Sequence, residues 1–232
     1  MNKADHITPV RVAILLSGRG SNARAILKNA ESGSLPSVEP VAICSNKPNA
    51  EGLALANEFS VMGRAFPQAE FGHGAERDKA MASWLNEQDA QLLVLAGYNR
   101  ILSPAFFQTF SGAILNIHPS LLPKYGGVGM VGKAVHQAVL DAKESESGCT
   151  VHQVTEVVDG GPVLGQAIVS VCSEDTVEQL AARVLEQEHQ LYSEVIQEVA
   201  LALQNGASVQ LLECVTPVML DARLTHPTGS AS

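Results

Sequence analysis

Two short stretches carry side chains that could move a proton. In LNIHPSLLP, Asn116 and His118 stand two apart at the end of an apolar run. Residues two apart on a strand share a face, so both side chains would leave the same side of a sheet, with Ile117 on the other. An amide can donate to a developing oxyanion, and an imidazole can take or give a proton near neutral pH. In VVDGGPVL, Asp159 follows two valines and precedes Gly160, Gly161 and Pro162. Asp is common in turns for conformational reasons of its own, and a polar pair at a strand end can be simple punctuation. An acid brought against an amide and an imidazole is also a working set for proton movement during acyl transfer. Spacing alone does not bring the three together.

Three further stretches could hold ligands. In SGRGSN, residues 17–22, Gly18 and Gly20 permit a tight turn that brings backbone N–H groups to an anion. A helix starting near Ser21 would add its dipole. The third glycine of a dinucleotide fingerprint is replaced by Ala23, and the Gly-Lys-Thr end of a P-loop is missing. A monophosphate or ribose phosphate therefore fits better than a dinucleotide, and a turn that binds nothing is the plain alternative. Glu188, in EQEHQLY, could accept a sugar hydroxyl, although a solvated helix face is the ordinary place for such a residue. In AGYNRILSP, Arg100 could lie beside a ligand while Ile101 and Leu102 wall an apolar slot.

These residues need a scaffold. RVAILLS, VEPVAICS, VMGRAFP, QLLVLAG and GAILNIH read as five strands, the second starting at Val41 because Pro40 precedes it. ARAILKNAESG, AEGLALANEFS and GAERDKAMASWLNEQ read as helices between them, the last with Met81, Trp84 and Leu85 on one face. Near-continuous apolar strands alternating with helices predict an α/β fold: a doubly wound, mostly parallel sheet covered on both faces. Asn116 and His118 then fall at the C-terminal end of the fifth strand, where such sheets bind ligands. KAVHQAVLDAK is a helix, and GCTVHQVTEVVDGGPVLGQAIVSV holds two strands around the Asp-Gly-Gly-Pro turn, an antiparallel C-terminal addition. A long helix follows, with Asp175 and Glu178 as its capping box and Asn205-Gly206 as its end. The tail after Leu212 is weakly periodic, and its THPTGSAS end is expected to fray.

The 232 residues, 46% of them hydrophobic, suit one large folded domain, and no linker or repeat divides the chain. A net charge of −9 makes it a poor general binder of nucleic acid. Neither an apolar signal core at MNKADHITPV nor a run of roughly 18 apolar residues is present, so no membrane partner is expected. Cys44, Cys149, Cys172 and Cys214 show no CxxC or zinc-ligand spacing and read as reduced core thiols of a cytoplasmic protein.

Taken together, SGRGSN, SNK at 45–47, LAGYNRILSPAF, LNIHPSLLPKY, GCTVHQVTEVVDGGPVLGQA and QEHQLY resemble, in order, the phosphoribosylglycinamide formyltransferases. These are folate-dependent enzymes of purine synthesis. NIHPSLLP followed by TVH and DGGP is the specific part. The resemblance implies transfer of the formyl group of 10-formyltetrahydrofolate to the primary amine of glycinamide ribonucleotide, with no metal. It implies that Asn116 and a protonated His118 stabilise the oxyanion. Asp159 would keep His118 charged and assist the proton's passage from the amine to the folate nitrogen through water. Gly20, Ser21 and Asn22 match the turn that holds phosphate and ribose, and Glu188 matches the acid on the ribose hydroxyls. Arg100, Ile101 and Leu102 match the pteridine-contacting edge, the backbone near Val154 to Asp159, with Val154 and Val158, matches the loop closing over that ring, and His152 matches a supporting histidine. Residues about 11–125 form the nucleotide-binding half and about 126–212 the folate-binding and catalytic half of one domain. The partners implied are small-molecule substrates, and a homodimer stays open.

The chain departs from the family at several points. GGVGMVGKAVHQAV is a longer, glycine-rich version of the loop after HPSLLPKY, and Val128 and Val131 bring no polar group. Asn99 stands where methionine is common. The cation that assists the phosphate from the third helix has Arg77 as its nearest counterpart, at an offset from Asp78 that the family does not share. A methionyl-tRNA formyltransferase would need a basic face and a further domain, and a formyl-folate hydrolase an N-terminal domain. A sugar-nucleotide formyltransferase would use the same three residues, and a non-catalytic nucleotide-binding module would have no use for them.

Overall fold

A computed structural model describes residues 8–209, 212 and 215–224. The chain runs through β1 (Val10–Leu16), α1 (Ser21–Glu31), β2 (Val38–Ser45), a 3-10 turn at 51–54 leading into α2 (Leu55–Glu58), and β3 (Met62–Ala65). Then come α3 (Gly74–Glu87), β4 (Leu92–Leu95), α4 (Pro104–Thr109), β5 (Ala113–His118) and α5 (Lys133–Asp141). β6 (Glu146–Gln153), β7 (Val163–Ser170), α6 (Val177–Gln204) and β8 (Val218–Asp221) complete it. The strands form one eight-stranded sheet in the order β3-β2-β1-β4-β5-β6-β7-β8. β1 to β5 are parallel, β5 to β7 pair antiparallel, and β8 lies parallel to β7.

The continuous apolar strands are explained by burial on both faces. Val12, Ile14 and Leu16 of β1, with Val94, Leu115 and Ile117, pack under α1 and α6. Ala13 and Leu15, with Leu93, Leu95 and Ile114, pack under Met81, Leu85, Phe106 and Phe110 of the α3 and α4 region. The Tyr192 hydroxyl of α6 shares its one hydrogen between the carbonyls of Leu95 and Leu115, at 3.0 and 3.1 Å, tying the helix to β4 and β5. β1 lies between β2 and β4, so the chain leaves it to one side and returns on the other. That reversal opens a crevice at the C-terminal ends of β1 and β4.

Several expectations change in detail. β2 starts at Val38, ahead of Pro40. The proline is tolerated because the β1–β2 register shifts beside its partner Val12, and β3 pairs only from Ala42 onward. The box that caps α6 is Thr176 with Gln179; Asp175 instead accepts from the Cys172 amide and pairs with Arg183 at 2.8 Å. α4 and β8 were not evident in the sequence. Cys44 and Cys149 are buried free thiols, whereas Cys172 is exposed. Cys214 and the THPTGSAS end lie outside the described residues.

Candidate active site

β5 and β6 place the first half of the site by register. Asn116 stands opposite His152, and His118 opposite Thr150. Cross-strand neighbours in antiparallel strands are close enough for their side chains to meet, and Asn116 Nδ2 lies 3.1 Å from His152 Nε2. His152 Nδ1 lies 3.1 Å from the Gln153 carbonyl, to which it can only donate. With Nδ1–H donating there, Nε2 can accept one Asn116 N–H, and the second N–H of that amide stays available. His118 is buried, and its Nε2–H donates to the Tyr125 carbonyl at 2.8 Å. Its Nδ1 is turned toward Asp159, 3.7 Å from Oδ2.

Asp159 reaches this pair because its turn folds back over β5. Its φ of 50° is in the left-handed region, which Asp adopts more readily than most residues. The Gly127 amide donates to its Oδ2 at 2.8 Å, and Oδ1 lies 3.6 Å from His152 Nε2. Gly161 permits the turn's tight return, since a Cβ there would meet the Gln153 carbonyl oxygen at 1.8 Å. Burial pushes the Asp159 carboxyl up, but His152, the Gly127 amide and the His118 ring together hold it below its ordinary value. Burial also dominates at His118, where it outweighs the Tyr125 carbonyl and Asp159 and holds the imidazole below its ordinary value. That direction favours the neutral imidazole in the resting site, against which Asp159 and the Tyr125 carbonyl both pull.

The glycine turn and Glu188 meet on the face of the sheet that α1 and α6 share. Gly20, at φ 77°, ends the turn before α1 without a capping side chain, leaving the first-turn amides for an anion. A Cβ on Gly20 would meet Gly52 Cα at 3.0 Å, so the turn is seated tightly on the chain after β2. Ser21 is exposed and Asn22 buried. Asn22 Nδ2 donates to Glu188 Oε2 at 2.7 Å, and Asn22 Oδ1 is buried with no partner among the described residues. Glu188 is only 9% exposed, so it is not on a solvated helix face. Burial, partly offset by Asn22, pushes its carboxyl up to about 7.

Arg100, Ile101 and Leu102 lie in the loop between β4 and α4 rather than on a strand edge. Arg100 and Ile101 are exposed, while Leu102 is buried in the layer under α3 and α4. Val154 extends the β5–β6 pairing by donating to the Ile114 carbonyl at 2.8 Å and packs on that same layer, and Val158 is half-buried beside Asp159 in the turn. Arg77 is no free cation for a phosphate. It is 4% exposed and binds Asp78 Oδ1 through Nη2 at 2.6 Å, while Asp78 Oδ2 accepts the Ser103 amide at 2.8 Å. The pair anchors the end of the 96–103 loop. Tyr98 Oη and Ser103 Oγ in this loop are buried with no hydrogen-bond partner among the described residues.

Two contributors have no signal in the sequence, because both are backbone: the Tyr125 carbonyl on His118 and the Gly127 amide on Asp159. The glycine-rich loop thus touches the centre of the site through its main chain, while Val128 and Val131 are exposed. No helix among the described residues is long and apolar enough to cross a membrane.

A family profile described as formyl transferase matches residues 10–196. The phosphoribosylglycinamide formyltransferase of Haemophilus influenzae is 41% identical over 186 residues, covering 80% of this chain and 85% of that protein. Among solved structures, glycinamide ribonucleotide transformylase 1 from Symbiobacterium toebii superposes with a TM-score of 0.78 at 36% identity, covering 84% of this chain and 89% of that one. Phosphoribosylglycinamide formyltransferase from Brucella melitensis gives 0.76 at 42% identity, covering 83% and 96%.

Proposed function

The chain belongs to the formyl transferase family, and from that premise we propose how its own residues carry the transfer. The activity is that of a phosphoribosylglycinamide formyltransferase in purine biosynthesis, with 10-formyltetrahydrofolate as the formyl donor. The donor supplies an activated formyl carbon; the residues hold it, stabilise charge and move one proton.

Asn116 directs its free Nδ2–H at the formyl oxygen as that oxygen gains charge, with His152 fixing the amide's orientation. His118, neutral and locked by Tyr125, offers its Nδ1 lone pair to the proton that the attacking amine must lose. Taking that proton makes an imidazolium, and Asp159, ionised 3.7 Å away, stabilises it. The same proton then passes from Nδ1 to the departing folate nitrogen, so the site ends as it began. The charged His118 of the sequence reading is in this scheme a state reached during the reaction.

Gly20, Ser21 and Asn22 hold the acceptor's phosphate and ribose, and Glu188 accepts from the ribose hydroxyls. The unpartnered Asn22 Oδ1 offers a further acceptor there. Arg100, Ile101, Leu102, Val154 and Val158 hold the folate ring. We read the chain as one cytoplasmic catalytic domain. Its nucleotide half and its folate half share the work unevenly, because the loop with Arg100 to Leu102 comes from the first. The buried Asn22–Glu188 pair carries the choice of a ribonucleotide over an amino-sugar nucleotide. A spectroscopic formyl-transfer assay with both acceptors tests it. Turnover with glycinamide ribonucleotide and none with the amino sugar is expected, and the reverse would overturn the reading.

A further inference from the structure

The stretch SNK has no role in the scheme above, yet its asparagine sits at a junction. Ser17 ends the segment after β1, Asn46 follows β2, and Asn99 follows β4. Their side chains close a ring. The Asn99 backbone N–H donates to Ser17 Oγ at 3.0 Å, and Ser17 Oγ–H donates to Asn46 Oδ1 at 2.6 Å. Asn46 Nδ2–H returns to Asn99 Oδ1 at 3.2 Å. Every donor in the ring has an acceptor, and each bond polarises the next. Ser17 and Asn46 are buried, so water does not readily replace a lost member.

The ring's position matters more than its strength. Ser17 directly precedes Gly18 of the turn assigned to the acceptor, and Asn99 directly precedes Arg100 of the loop assigned to the donor. Asn46 is the side chain that bonds to both. With the methionine common at position 99, the Nδ2 donor of Asn46 would have no Oδ1 to reach, so this connection belongs to the departure at Asn99. We infer that Asn46 is a positioning residue for both substrates, fixing the acceptor turn and the donor loop relative to each other through Ser17 and Asn99. The inference rests on the reading that residues 20–22 hold the acceptor and residues 100–102 the donor.

Steady-state kinetics on the full chain test it. Asn46→Ala should raise the KM for each substrate about five- to tenfold with kcat within about threefold. Ser17→Ala combined with it should add little, because the two changes break one network. Asn22→Ala and Ile101→Ala serve as controls, expected to raise only the acceptor KM and only the donor KM. If both controls behave so while a folded Asn46→Ala moves one KM or neither, the inference fails and the binding assignment stands. If the controls leave their KM values unchanged, the assignment fails and the inference with it. Should Asn46→Ala not fold, Asn99→Met, at an exposed position, must raise the donor KM, and no change there overturns the inference.

Discussion

At the scale of single residues, the site works by setting two ionisable groups against each other. Asp159 is held below its ordinary value and His118 is held below its own, directions that favour a resting carboxylate beside a neutral imidazole. That pairing accepts a proton from the amine without first losing one. Since Asp159 raises His118 against the larger effect of burial, removing its charge should lower His118 further. An NMR titration of the His118 ring should give a midpoint below 6.5 in the parent and lower again in Asp159→Asn; a midpoint above 6.5 would remove the neutral base from the scheme. Asn116→Ala should reduce kcat by about 10²- to 10³-fold, the cost of one oxyanion donor, with substrate KM values little changed in the same assay. The spacing of Asn116 and His118 made their common face legible in the sequence. The arrival of Asp159 was not legible, because it depends on the β5–β6 register, a left-handed φ at Asp159 and an amide from a loop 32 residues away.

At the scale of elements, apolar runs and glycine turns revealed β1 to β7 and the long helices, since burial leaves a strong signal in every one of these strands but the mostly exposed β3. α4 and β8 escaped it. α4 is six residues long, opening on Pro104 behind Ser103, and β8 is four residues with only alternate burial. Capping was misread for a local reason: Asp175 and Thr176 are both competent, and Arg183 draws Asp175 away from the helix amides. Thr176→Ala should therefore cost about 1 kcal/mol, seen as a melting temperature lower by about 2–4 °C for a chain of this size. Glu178→Ala, by contrast, should leave the cap intact. Tyr192→Phe should cost more than its lost hydroxyl suggests, about 1–3 kcal/mol in denaturant melts, because two strand carbonyls lose a buried donor together.

At the scale of the whole molecule, Glu188 links the binding site to folding. Its carboxyl is buried between α6 and the sheet with Asn22 as its hydrogen-bond donor, and its value of about 7 stands above the ordinary 4.5. Below pH 4.5 the group is protonated whether the chain is folded or not and affects stability little. Between 4.5 and about 7 the folded chain keeps a proton that the unfolded chain releases, so stability falls as pH rises through this window. Beyond it the loss levels off at about 3 kcal/mol, taking about 1.4 kcal/mol per unit. Glu188→Gln keeps a neutral polar side chain in the same space and removes that loss. Thermal melts of the two proteins without substrates should coincide near pH 4.5 and separate by several degrees at pH 8, with the variant the more stable. A gap that does not change with pH would place the Glu188 proton elsewhere. Ribose hydroxyls that donate to the carboxylate favour its ionised form, so glycinamide ribonucleotide should narrow the pH 8 gap by stabilising the parent and not the variant. A group that weakens the empty fold would then be the one that gains most when the acceptor arrives.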